Sequence, residues 1–315
     1  MENLKSHNDG EKSASIHKTK IEQAAVQSFL ESHYKTPISD LVTISGGEGS
    51  QAFSFEINGE ALILRVNRHS DSGFKKDRYA FEHFKSQQIP IPEVVEVGEM
   101  EDGQYFSISK KVEGSLFKNL SDEEFDKALP SLFNTLEAIH TIDISDKEGY
   151  GKWDNEGIAD KRNWKEVLLN VNEYAVHMFD SSMLEKEVWD KAYTRLIDLL
   201  PFCSEEKYLV HGDYNFDNLF VKDEEVVGVI DWEGSMYGDF LYDIARLQFF
   251  AKDFDYEKAY LEFSNITGKK IENFEERVLC YKLYLGLGSL SFYAYSKQED
   301  KYERSKEKLL KLIGE

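Results

Sequence analysis

The sequence predicts an α+β chain of two lobes, an antiparallel-sheet lobe followed by a mostly helical one, and three observations predict it. From Leu41 to Val66, and again from Val94 to Lys110, short apolar runs alternate with polar residues and break at turn formers, the pattern of strands with one buried face. Beyond Gly114 the apolar spacing turns helical, with Phe125, Leu129, Leu132, Phe133, Leu136 and Ile139 on one stripe. The 315 residues, 41% hydrophobic and 13% aromatic, suffice to bury one large core or two moderate ones, which excludes a disordered chain or a small stapled scaffold.

Taken in order, residues 1–20 carry no periodic apolar positions and read as a tail. Ile21, Ala24, Ala25 and Phe29 then recur at helical spacing, and the helix must stop before Pro37 because the residue preceding a proline is pushed out of the helical region. Phe53, Phe55 and Ile57 alternate into Asn58-Gly59, two residues that tolerate the positive φ of a tight hairpin. A helix over Lys75–Lys85 ends ahead of Ile-Pro-Ile-Pro at 89–92, and strands Val94–Glu99 and Tyr105–Lys110 flank a turn at Asp102-Gly103. The expected limits are therefore 21–112 for an N-lobe and 113–315 for a helical C-lobe. Residues 143–163 are rich in Gly and Asp and read as a long functional loop, and 254–315 as several amphipathic helices.

The 38 Lys+Arg against 59 Asp+Glu leave a net charge of −21, which opposes a surface that neutralises nucleic-acid phosphates and permits a cationic small molecule. Cys203 and Cys280 lie far apart with no metal or disulfide spacing, as in a reducing compartment. Residues 1–20 lack the apolar core of an export signal, and no run reaches the roughly 18 apolar residues of a membrane span. A cytoplasmic chain without membrane or nucleic-acid partners is expected.

Chemistry concentrates in His211-Gly212-Asp213-Tyr214-Asn215-Phe216-Asp217-Asn218 and in Ile230-Asp231-Trp232. An Asp, an Asn five residues on and a second Asp at the end of an apolar strand thirteen residues later is the catalytic-loop and metal-site spacing of kinases. Asp213 would accept the proton of the attacking hydroxyl, while Asn218 and Asp231 would hold Mg²⁺ for ATP. His211 reads as a hydrogen-bonding anchor of the loop, because the adjacent Asp already takes the base position. Gly46, Gly47, Gly49 and Ser50 lie between two strands with no helix after them; this excludes a Walker loop and suits a hairpin lid whose bare backbone approaches phosphates. Arg65, in Leu-Ile-Leu-Arg-Val, stands where a kinase clasps the α- and β-phosphates, and needs an acid from the following helix, Asp77 first and Glu82 second.

The order of glycine hairpin, basic strand residue, helix, HGDxxxxN and IDW resembles the aminoglycoside phosphotransferase family. Ala52–Gly59, Leu64–Asn67, Lys76–Tyr79, Ile89–Val94, Gly149–Gly151, Asn163-Trp164 and Ile230–Asp239 are similar in particular to its hygromycin B phosphotransferase branch. The resemblance implies a protein-kinase-like two-lobed fold, ATP and Mg²⁺ in the cleft, and γ-phosphoryl transfer to a hydroxyl of an aminocyclitol antibiotic, for hygromycin B the 4-hydroxyl. It also implies adenine contacts from the backbone near Ser109 and Lys111, a mainly structural role for Asp239 and Asp243, and antibiotic resistance as the outcome. Asp217, Glu233 and Asp154 are candidates to meet the cationic acceptor, and Trp153 and Trp232 to pack on its sugar rings. A monomer is expected. The competing readings are a kinase of choline, homoserine or a sugar, and a nucleotide-binding regulatory module without catalysis.

Overall fold

The computed structural model describes residues 20–45, 49–175, 183–250 and 254–314. Residues 1–19 of the expected tail 1–20, together with Gly46 and Gly47, lie outside the described residues. Helix α1 (Gln23–Tyr34) leads into strands β1 (Ser39–Ile44), β2 (Gln51–Ile57) and β3 (Glu60–Asn67), then helix α2 (Ser72–Phe84) and strands β4 (Val94–Glu99) and β5 (Tyr105–Lys110). The strands form one antiparallel sheet in the order β1-β2-β3-β5-β4. Asn58 and Gly59 both have positive φ in the β2–β3 turn, as a two-residue hairpin requires.

Alternation sorts the two faces of this sheet. Phe53, Phe55, Ile57, Leu62, Leu64, Val66, Phe106 and Ile108 point to one side and are buried beneath Val26 and Leu30 of α1. Each such side chain contributes roughly 1.5–3 kcal/mol on leaving water, so a register slip of one residue would expose the whole row. The opposite face carries Ala52 across from Arg65 and Ser107, and Ser54 across from Ile63 and Ser109.

The chain changes partners just after β5. Strand β6 (Ser115–Leu116) pairs with β10 (Leu219–Lys222), which pairs with β11 (Glu225–Val229). Helix α3 (Asp122–His140) carries the expected stripe and opens with a capping box between Ser121 and Glu124. Residues 143–163 are not an irregular loop: β7 (Tyr150–Trp153) and β8 (Ala159–Lys161) make a hairpin inside a four-stranded sheet with β9 (Tyr208–Val210) and β12 (Met236–Gly238). The glycines that suggested a loop serve close packing instead; a Cβ on Gly149, at φ +72°, would sit 2.0 Å from the Ala159 carbonyl oxygen.

Helices α4 (Trp164–Leu169), α5 (Val171–Ala175), α6 (Lys186–Leu199), α7 (Leu241–Phe250), α8 (Tyr256–Thr267), α9 (Phe274–Tyr295) and α10 (Glu299–Leu312) complete the C-terminal part. Helix α9 corrects the amphipathic expectation: Val278, Cys280, Tyr281, Leu283, Leu287 and Leu290 are fully buried on several sides of it, so it is a central helix. Tyr79, Ala80 and Phe84 of α2 belong to this larger core, not to the one under α1. Among the described residues no helix is long and apolar enough to cross a membrane.

Candidate active site

The 211–218 segment links β9 to β10 and is tied down from three sides. The fully buried carboxylate of Asp243, on α7, accepts from the amides of His211 at 3.0 Å and Gly212 at 2.9 Å. His211 Nδ1 accepts the Asp213 amide at 3.2 Å, so Nε2 carries the proton and donates to Ile230 O at 3.2 Å. Burial, foremost, lowers the imidazole's pKa. The ring therefore anchors the loop. Gly212 has φ +74°, and a Cβ there would lie 2.1 Å from Gly234 O; only glycine lets the loop pass so close to the turn after β11.

Asp213 is presented at the end of this anchored stretch. Asn218 Nδ2 donates to its backbone carbonyl at 2.9 Å and to its Oδ2 at 3.1 Å, and Asn215 Nδ2 donates to Oδ1 at 2.7 Å. The Asn218 carbonyl accepts the Ile230 amide at 3.0 Å, which brings the end of β11 alongside the loop. Asp231 follows with φ 65° and ψ 67°, a left-handed backbone unusual for a side-chain-bearing residue and of the kind concentrated at functional sites. Burial first, then the neighbouring carboxylate of Asp77, raises the Asp231 pKa; Arg65 acts in the opposite sense.

Asp77 connects the two halves. Its Oδ2 pairs with Arg65 Nη2 and its Oδ1 accepts the Trp232 amide at 2.8 Å. One carboxylate thus orients the guanidinium on β3 and holds the turn that follows Asp231. Of the two acids considered for Arg65, the structure selects Asp77. Lys76 adds a second tie from α2, donating to the Glu233 carbonyl at 2.8 Å and the Ser235 carbonyl at 3.0 Å.

A cavity of about 280 Å³ opens here, lined by Lys152, Gly212, Asp213, Asp231, Glu233, Gly234, Met236, Tyr242 and Arg246. Of the five acceptor candidates only Glu233 lines it. Trp232 is a correction: it is fully buried, packed on Phe84 and His211, and its indole N–H donates to Val229 O, so it offers no face to a sugar. Trp153, 2% exposed, is likewise core. Asp217 is exposed and paired with Lys118, and Asp154 accepts the amides of Glu156 and Ile158 in its own turn.

The nucleotide-side expectations are redistributed too. Ser109 sits inside the ladder opposite Ile63 and Val94, and the Lys111 amide is bonded to Ala61 O at 3.1 Å, so unpaired backbone begins after the Lys111 amide. A Cβ on Gly49 would meet no atom of the described residues within 4 Å, and Ser50 precedes β2 directly.

Sequence reasoning missed Arg246, Tyr242, Lys152 and Met236. Arg246 had a signal: it stands three residues after Asp243 on a helix, hence on the same face. The other three reach the cavity only through the β7–β12 pairing and the start of α7.

A cleft with a half-buried Asp of left-handed backbone beside a loop Asp–Asn pair, and a strand arginine fixed by a helix acid, defines a phosphoryl-transfer enzyme of protein-kinase-like fold. The chain belongs to the phosphotransferase enzyme family, whose model matches residues 40–265. It is 32% identical over 235 residues to the hygromycin-B 4-O-kinase of Escherichia coli, covering 74% of this chain and 68% of that protein. Among solved structures it is similar to a thermostable mutant of aminoglycoside phosphotransferase APH(4)-Ia in ternary complex with AMP-PNP and hygromycin B, at 28% identity and a TM-score of 0.83, covering 92% of this chain and 98% of the other. The GDP complex of aminoglycoside 2'-phosphotransferase-IIIa, at 15% identity and a TM-score of 0.68, shares the fold.

Proposed function

We propose that this chain is an ATP-dependent O-phosphotransferase that moves the γ-phosphoryl group of ATP to a hydroxyl of an aminoglycoside, hygromycin B at its 4-hydroxyl foremost. The carrying observation is Asp213, hydrogen-bonded to Asn218, facing the cavity that Asp231 also lines. The 32% identical relative named for 4-O phosphorylation of hygromycin B supports the acceptor, and the AMP-PNP complex of the structural relative supports the nucleotide.

In this reading Arg65, aimed by Asp77, holds the inner phosphates, and the sheet face bearing Ile63, Ser107 and Ser109 lies over the base and ribose. Asp213 orients the acceptor hydroxyl and takes its proton as the oxygen attacks the γ-phosphorus in line with the departing ADP. Glu233 is the carboxylate placed to meet an acceptor amine. No group of three His, Cys, Asp or Glu among the described residues is arranged to cage a metal. One carboxylate and one amide oxygen, Asp231 and Asn218, nevertheless fit Mg²⁺, which takes few protein ligands and completes its shell with water and phosphate. The crowding of Asp231 by Asp77, Asp213 and Glu233 is what a cation would relieve. Held by Asp231 and Asn218, such an ion would supply positive charge against the triphosphate. We take the chain to act as a cytoplasmic monomer.

The test is a purified-protein assay with ATP, Mg²⁺ and hygromycin B beside kanamycin, gentamicin and spectinomycin, with the phosphorylated position mapped by NMR. A 4-phosphate on hygromycin B is expected; turnover of none of the four overturns the acceptor assignment. Replacing Asp213 with Ala should lower kcat by about 10²–10⁴-fold while nucleotide still binds, and undiminished turnover would remove it from the base position. Lys152 on the cavity wall favours one rival, an acceptor bearing a carboxylate such as homoserine, so that amino acid belongs in the same panel.

A further inference from the structure

We infer that Arg246 is a positioning residue for phosphoryl transfer: it clamps one oxygen of Asp213, Oδ1, and so makes the other, Oδ2, the oxygen that receives the acceptor's proton. The inference rests on Asp213 being the base. Arg246 donates from Nε to Oδ1 at 2.9 Å and from Nη2 to the same oxygen, and Asn215 Nδ2 reaches it as well at 2.7 Å. Among the described residues Oδ2 receives only Asn218 Nδ2, at 3.1 Å. A carboxylate oxygen has two lone-pair directions, so Oδ1 is saturated and Oδ2 keeps one free. Torsion about the last bond of an Asp side chain is broad and two-fold, and without the clamp the two oxygens can exchange places.

The placement of Arg246 argues against an ordinary surface ion pair. Its guanidinium lies over the Phe250 ring at 4.7 Å, only 22% of its side chain is exposed, and it lines the cavity beside Asp213. It stands one helical turn beyond Asp243, which holds the amides of His211 and Gly212. A single turn of α7 therefore fixes both the backbone and the carboxylate of the catalytic loop. In the reaction the acceptor O–H bond breaks, its proton passing to Oδ2, as the acceptor's own oxygen bonds to the γ-phosphorus. The bond from phosphorus to the bridging oxygen breaks at the same time, and its electron pair leaves with ADP.

The experiment measures transfer from ATP to hygromycin B by the full chain and by Arg246→Ala, Arg246→Lys, Asp213→Ala and the Arg246→Ala/Asp213→Ala double variant, each checked for a cooperative melt. Arg246→Ala should lower kcat by about 10- to 100-fold, the scale of a misplaced catalytic group, with KM for both substrates held within about threefold. Added guanidine should restore part of that kcat, and Arg246→Lys, which keeps a charge but no fork, should fall between. In the Asp213→Ala background, removing Arg246 should cost almost nothing more. Equal losses in both backgrounds, a raised acceptor KM with kcat intact, or no guanidine rescue would each overturn the positioning role and leave the base standing. Full activity of Asp213→Ala would sink both.

Discussion

Gly212 separates a functional requirement from a merely local one. His-Gly-Asp is unremarkable as a string, and the reason for its middle residue appears only where the Gly234 carbonyl lies 2.1 Å from the position a Cβ would take. Gly212→Ala should therefore cost about 2–4 kcal/mol in strain and overlap and displace Asp213. Melting and turnover are expected to fall together; a variant with wild-type melting and wild-type kcat would refute the close approach. Three sequence assignments at this scale, Asp213, Asn218 and Asp231, fall within one site, because a fixed spacing on a loop and a hairpin constrains where side chains can go. Trp232 misled because an aromatic residue next to a candidate metal-holding Asp reads equally as a ligand platform or as the packing that supports it, and burial chose the second.

Helix α2 is the element on which the two parts of the molecule depend. Its Asp77 ties Arg65 of β3 to the turn after Asp231, and its aromatic residues pack into the larger core. Asp77→Ala removes a partly shielded ion pair and an amide acceptor, worth about 2 kcal/mol together, and leaves Arg65 unaimed. The expected result is a lower melting temperature with an ATP KM raised several-fold; an unchanged ATP KM would detach Arg65 from the phosphates. Lys76, 4% exposed over the Trp153 ring, has its pKa brought down to about 7, by burial first and then by the positive charge of Lys152. Protons then bind more tightly to the unfolded chain, where a lysine titrates near 10.5, so this group favours the folded state increasingly as pH rises from about 7 toward 10. Compared with Lys76→Met, wild type should gain relative stability over that interval in thermal melts at stepped pH. A difference that stays flat would show that the amine does not titrate there.

Charge acts over the whole molecule. With a net charge of −21, the proposed polycationic acceptor should be drawn in at long range, and screening should weaken that attraction. Raising ionic strength from about 0.05 to 0.5 M shortens the Debye length to roughly a third, and the KM for hygromycin B should rise several-fold while kcat changes little. A KM insensitive to salt would point to an acceptor bound without its charge. Locally the balance differs: Lys152 and Arg246 stand on the same cavity wall as Asp213, Asp231 and Glu233. Net charge therefore describes the approach of the acceptor and not its final contacts.

Much of the architecture was legible because local rules governed it. Alternation fixed the strands of the first sheet, the 122–140 stripe fixed α3, and Asn58-Gly59 fixed a hairpin, each within a few residues of chain. The spacing of Asp213, Asn218 and Asp231 belongs to the same class of short-range information. The 150–161 hairpin escaped notice because its glycines answer to packing against neighbours distant in sequence, and α9 because an all-round buried helix has no polar face to mark it. The Lys76–Glu233 and Asp213–Arg246 contacts, at separations of 157 and 33 residues, were set only when the sheets and α7 came together. A linear pattern names the groups proposed to do the chemistry. Which of them touch depends on side chains meeting across the core, and that was decided in three dimensions.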